Sequence, residues 1–110
     1  MDTDATAVIQ RAESIIYRAS WRLLEETALE HLAGTRGLCW VPLEPRTDVI
    51  QLVTYDGEHL GHMRRDRSLA QDEGWVAVRR LAGRAVGRYA SAQEAAEALA
   101  RACGKDPRRP

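Results

Sequence analysis

The chain has no phenylalanine, two cysteines, four prolines and a single lysine among its 110 residues. Without Phe, the three Trp and three Tyr must supply the aromatic bulk of any core. Two cysteines, Cys39 and Cys103, are too few for a disulfide framework, and reduced thiols are expected. No charged-then-apolar leader opens the chain, and no run approaches the roughly 20 apolar residues that a membrane span needs. A cytoplasmic protein that does not enter a membrane is the expectation. Net charge is also missing, at 16 acids against 16 bases, which argues against indiscriminate binding to nucleic acid or lipid.

That zero hides a gradient. Residues 1–57 carry nine acids and five bases, whereas 58–110 carry seven acids and eleven bases. Such asymmetry marks a binding face, or an acidic helix beside a basic sheet. Fifteen of the bases are Arg. Arginine suits bidentate recognition of phosphate or carboxylate, and its abundance together with Ala and Gly is also what a GC-rich bacterial coding sequence produces.

One motif occurs twice. Ile50 to Met63 is echoed by Val76 to Tyr89 at a constant offset of 26, which matches Ile50 with Val76, Leu52 with Val78, Gly57 with Gly83, Leu60 with Val86 and Gly61 with Gly87. Each copy reads as strand, tight turn and strand, so two related hairpins are expected, the first turning at Asp56-Gly57 and the second at Ala82-Gly83. Glycine inside a strand marks a bulge or a close approach. An aromatic or a helix lying across each second strand would explain both Gly61 and Gly87.

Around the hairpins, residues 4–33 read as one long helix of about 45 Å. Its apolar stripe runs through Ile9, Ile16 and Leu23 at helical spacing, and the stripe shifts phase near Ser20-Trp21, where the helix can break. So long an element exceeds what one small core needs, and its surplus suits a homodimer interface at Ile9, Ile16 and Leu23. Leu38 to Leu43 fits an edge strand, because Pro42 has no N–H for a ladder. Arg64 to Gly74 is a polar linker in which Asp66 to Asp72 can form a short helix. Ser91-Ala92-Gln93-Glu94 fits a reciprocal capping box for a helix over 92–103, ended by Gly104. Residues 105–110 read as a disordered tail. The whole predicts one α+β domain over 1–104: a long N-terminal helix, an antiparallel sheet of four or five strands over 38–89 built from the two hairpins, and a C-terminal helix packed on the sheet.

Chemistry-bearing residues are sparse. His31, His59 and His62 are the only histidines, and no nucleophile elbow, phosphate loop or paired-carboxylate spacing accompanies them, so no catalytic residues are assigned and no enzyme is expected. His59 and His62 stand three positions apart on a strand and point to opposite faces unless a bulge intervenes. With Cys39 they could be imagined around zinc, but the usual ligand spacing is missing, and exposed histidines on a hairpin are expected with no metal or cofactor. Arginines form the most suggestive set: Arg64, Arg65 and Arg67 leave the first hairpin, and Arg79, Arg80, Arg84 and Arg88 lie on the second. A sheet carrying them with Trp75 and Tyr89 can meet phosphates and bases of duplex DNA. A solvated face neutralised by Asp66, Asp72 and Glu73 is the other reading.

Gly74-Trp75-Val76-Ala77-Val78-Arg79-Arg80, Gly83-Arg84 and Gly87-Arg88-Tyr89, followed by Ser91-Ala92-Gln93-Glu94-Ala95-Ala96, resemble the arm-type amino-terminal DNA-binding domain of tyrosine integrases over residues 74–103. The resemblance implies a three-stranded sheet backed by one helix, with the sheet entering a major groove and Arg79, Arg84 and Arg88 as contacts. Two functions are therefore expected in outline: a small non-enzymatic regulatory protein that binds DNA through an arginine-bearing sheet, or an accessory subunit that dimerises through residues 4–33 and leaves nucleic acid alone.

Overall fold

The computed structural model describes residues 20–66, 74–81 and 83–108. Within them the chain is α+β. A helix α1 over residues 20–32 leads into five strands, β1 (Leu38–Pro42), β2 (Ile50–Tyr55), β3 (Glu58–Asp66), β4 (Gly74–Arg79) and β5 (Ala85–Tyr89), and then into helix α2 (Ala92–Ala102). All five strands join one antiparallel meander in the order β1-β2-β3-β4-β5. The described first helix is short, and the portion of the expected long helix at residues 4–19, with Ile9 and Ile16, lies outside the described residues. Among the described residues no helix is long and apolar enough to cross a membrane.

Local chemistry accounts for the meander. Pro42 sits at the end of the edge strand β1, opposite Gln51. Asp56 (φ 51°) and Gly57 (φ 80°) are both left-handed, as a two-residue hairpin turn demands. Asp56 is held there because its Oδ1 accepts the Gly37 N–H at 2.6 Å and its own N–H donates to the Gly37 carbonyl at 3.0 Å. The expected linker starts later than its polarity suggests: β3 continues through Arg64 and Arg65, which pair with Val76 and Trp75. The short helix expected over 66–72 falls almost wholly outside the described residues.

The pleat sends side chains into two cores. Val53, Leu60, Met63, Trp75 and Ala77 meet Ala95, Ala96, Leu99 and Ala100 of α2 on one face. On the other, Leu43 and Leu52 meet Ala28 and Leu32 of α1. Ser91 starts α2 by accepting the Glu94 N–H at 3.1 Å, which is the Ser half of the expected capping box. Gly104 (φ 75°) ends it, with the Lys105 N–H donating to the Ala100 carbonyl at 2.8 Å.

The segment expected to be a disordered tail does not behave as one over 105–108. Lys105 Nζ lies 2.7 Å from a Glu58 carboxylate oxygen, and the Tyr55 hydroxyl donates to the Asp106 carbonyl at 2.7 Å. Both ties reach the first hairpin, which the end of α2 overlies.

Candidate functional site

Each hairpin contains a bulge, and the bulges decide which way the chemistry points. In the first, Val53 pairs with Gly61 and Thr54 with His59, which leaves Leu60 without a partner of its own. In the second, Ala77 pairs with Gly87 and Val78 with Ala85, which leaves Val86 in the same position. The sequence repeat therefore holds at 26 positions after each turn, Leu60 with Val86. Before the turn the equivalence is 24 positions, Val53 with Ala77. The matches of Ile50 with Val76 and Leu52 with Val78 are thus corrected by two residues, because the second loop is two residues longer. A shift of two keeps every side chain on its face, so the alternation of apolar residues could not reveal it.

The first bulge overturns the expectation that His59 and His62 point apart. His62 pairs with Leu52 and His59 with Thr54, and those β2 residues share the face covered by α1. The histidines are half-buried rather than exposed. Trp21 of α1 packs edge-on against the His62 ring, with centroids 5.4 Å apart and planes at 75°. Burial lowers both imidazoles below their ordinary value near 6.5. Glu25 of α1 opposes this at both, whereas Arg80 adds to the lowering at His59 and Arg64 adds to it at His62. The His59 Nδ1 atom is buried without a hydrogen-bond partner.

A cleft of about 230 Å³ opens here between α1 and the sheet. Trp21 and Glu25 line it from the helix, His59 and His62 from β3, and Arg79 and Arg80 from the end of β4. Among the described residues, no group of three or more His, Cys, Asp or Glu side chains is placed to hold a metal ion. Cys39 and Cys103 are free thiols in opposite cores.

The arginines predicted as one surface are divided. Arg64 and Arg88 both flank Val76, one on each neighbouring strand, so they share the α1 side of the sheet, and both are exposed. Arg88 lies across Gly74, whose missing side chain leaves room for its guanidinium at 2.5–2.8 Å from an ideal Cβ position. Arg65 is on the opposite face. Its guanidinium binds Asp48 at 2.8 Å and stacks 5.1 Å from the Trp75 ring centroid, so it is a structural clamp rather than a member of an open surface. Trp75 and Tyr89 belong to the core under α2, with Trp75 only 8% exposed, and do not join Arg64 and Arg88 on one face.

Arg79, Arg80 and Arg84 gather instead at the end of the second hairpin, where the Arg79 N–H donates to the Arg84 carbonyl at 3.3 Å and the Gly83 N–H to the Arg79 carbonyl at 3.2 Å. All three are exposed, and none makes an ion pair among the described residues. Leu81 beside them is 91% exposed. Of the residues expected at a dimer interface, Leu23 alone is described, and it is 68% exposed on α1. Nothing in the sequence marks Trp21 and Glu25 as site residues, whereas Arg80 belongs to the expected basic cluster. A bulge after His59 was the missing signal, and Gly61 was its only trace in the sequence.

Comparison with protein-family models, with curated proteins and with solved structures finds no match to this chain.

Proposed function

We propose that the protein is a small, non-enzymatic binding or regulatory protein that engages duplex DNA through the end of its second hairpin. One observation carries the reading. Arg79, Arg80 and Arg84 cluster there without carboxylate partners among the described residues, whereas Arg46, Arg65 and Arg101 each hold one. A two-stranded ribbon fits the major groove, about 12 Å wide, and unpaired guanidiniums at its end can reach phosphates without first breaking an ion pair. The resemblance of residues 74–103 to arm-type integrase domains supports the same ligand. Arg64 and Arg88 flank the ribbon on the side away from α2 and extend the basic surface.

The test is fluorescence anisotropy with a short duplex at low and moderate salt. Removing the three guanidiniums in R79A/R80A/R84A should weaken binding at low salt by about tenfold or more. It should also flatten the salt dependence by roughly 0.9 for each phosphate no longer neutralised. Absence of binding at low salt, or binding that the triple variant leaves intact, would sink the proposal.

A second reading rests on Leu23, which stands exposed on a helix whose other face is packed. In it the chain is an accessory subunit that self-associates through α1 and the residues before it. Affinity would then be almost indifferent to salt. Sedimentation showing only monomer at high concentration, or a dimer unaffected by L23E, would dispose of that reading.

A further inference from the structure

The cleft between α1 and the first bulge has more chemistry than its place in the fold requires. The two hairpins supply an internal control. Positions His59 and His62 correspond, across the repeat, to Ala85 and Arg88. The bulge therefore forms with an alanine and an arginine at these two places, and the imidazole pair is not needed to build it. Bulges commonly re-aim side chains toward sites, and here one turns both histidines toward Trp21 and Glu25.

We propose that this cleft binds a small planar organic carboxylate that also carries a hydrogen-bond donor. Its volume of about 230 Å³ is small, below the roughly 300–1,000 Å³ of sites for drug-sized ligands. That selects a ligand of one ring. Trp21 and His62 present aromatic surface, and Leu43, Leu52 and Val78 complete an apolar lining, so the body of the ligand is flat and apolar. Arg80 lines the cleft with no carboxylate bound to it among the described residues, which gives the ligand's acid a partner. Glu25 also lines the cleft and would repel an acid beside it, so the ligand must also bring a donor to this carboxylate. The proposal goes beyond DNA recognition and stands independently of it.

Isothermal titration calorimetry of the full chain, without nucleic acid, provides the test. The probes are para-hydroxybenzoate, its uncharged amide and benzoate. Para-hydroxybenzoate should bind saturably, with the amide and benzoate each weaker by about tenfold or more. R80A should weaken the acid by a similar factor, and H59A/H62R, which installs the residue types of the second bulge, should remove binding. R84A should leave it unchanged while still weakening DNA, because Arg84 does not line the cleft. R80A alters an exposed side chain, so it keeps the test alive if H59A/H62R fails to fold. No saturable binding up to about 10 mM, equal affinity for acid and amide, or full affinity in R80A would each overturn the proposal.

Discussion

The two hairpins are built on one plan and live in different surroundings. Each has a left-handed glycine in its turn, a bulged apolar residue and a glycine immediately after it. The first hairpin is covered on both faces, by α1 over Leu52 and by α2 over Val53, Leu60 and Met63. The second is covered by α2, and among the described residues its β5 is an edge strand with no further neighbour. Coverage explains why the two hairpins differ in their polar positions. Under α1, a charged side chain at the places of His59 and His62 would be desolvated, and burial indeed holds both imidazoles toward the neutral form. At the open edge, Arg88 and the loop arginines are exposed.

The sharpest way to break the comparison is at the shared glycine. Gly61 has φ 154°, and a Cβ there would overlap the Val78 carbonyl oxygen of β4 and lie 3.0 Å from the Arg80 nitrogen just beyond it, both backbone atoms. Among the described residues, Gly87 meets no third strand. Its added Cβ would touch the Tyr89 hydroxyl at 2.7 Å, the far end of a side chain. The common cause expected for the two glycines is therefore corrected: an aromatic crosses Gly87, but backbone crowds Gly61. Gly61→Ala should destabilise by more than about 3 kcal/mol, and Gly87→Ala by about 1 kcal/mol. Urea denaturation midpoints of the two variants decide it, and equal losses would show that the bulges are interchangeable after all.

The next contrast is in coverage. Leu52 is 1% exposed beneath α1, whereas its counterpart Val76 is only partly buried. Leu52→Ala should lose roughly 2–5 kcal/mol and Val76→Ala less than about 1 kcal/mol, again by denaturation. Similar losses at the two sites would mean that the second hairpin is covered as well as the first.

The smallest effect is one of pH. His59 and His62 titrate in the folded protein below their unfolded value near 6.5. The unfolded chain thus takes up protons first as pH falls through 6.5, and stability declines from there until the native imidazoles also charge. Above 6.5 the contribution is flat. H59A/H62R, which installs the residue types of the second bulge, should lose this acid-side slope. A thermal-shift series from pH 7.5 down to about 5 reads the difference, and an unchanged slope in the double variant would assign it elsewhere.

Elements announced by neighbouring residues were legible in the chain. Asp56-Gly57 specified its turn through the positive φ both residues tolerate. Ser91 and Gly104 bounded α2 through local hydrogen bonds, and apolar alternation set the faces of β2 and β4. The candidate site was less legible, because its parts depend on contacts far apart in sequence. A bulge depends on pairing with another strand, so the shared face of His59 and His62 was hidden behind a parity rule that assumes none.

By itself, then, the sequence determined the order of strands and turns, the doubled scaffold and the arginine content of the second copy, since these follow from backbone preference and local periodicity. Only the tertiary structure decided that Arg65 is tied to Asp48 and Trp75 while Arg79, Arg80 and Arg84 are left unpaired among the described residues. It alone brought Trp21 and Glu25 over the histidine pair. Charge pairing, burial and the walls of a cleft are set by distances between side chains, which the linear order of residues does not contain.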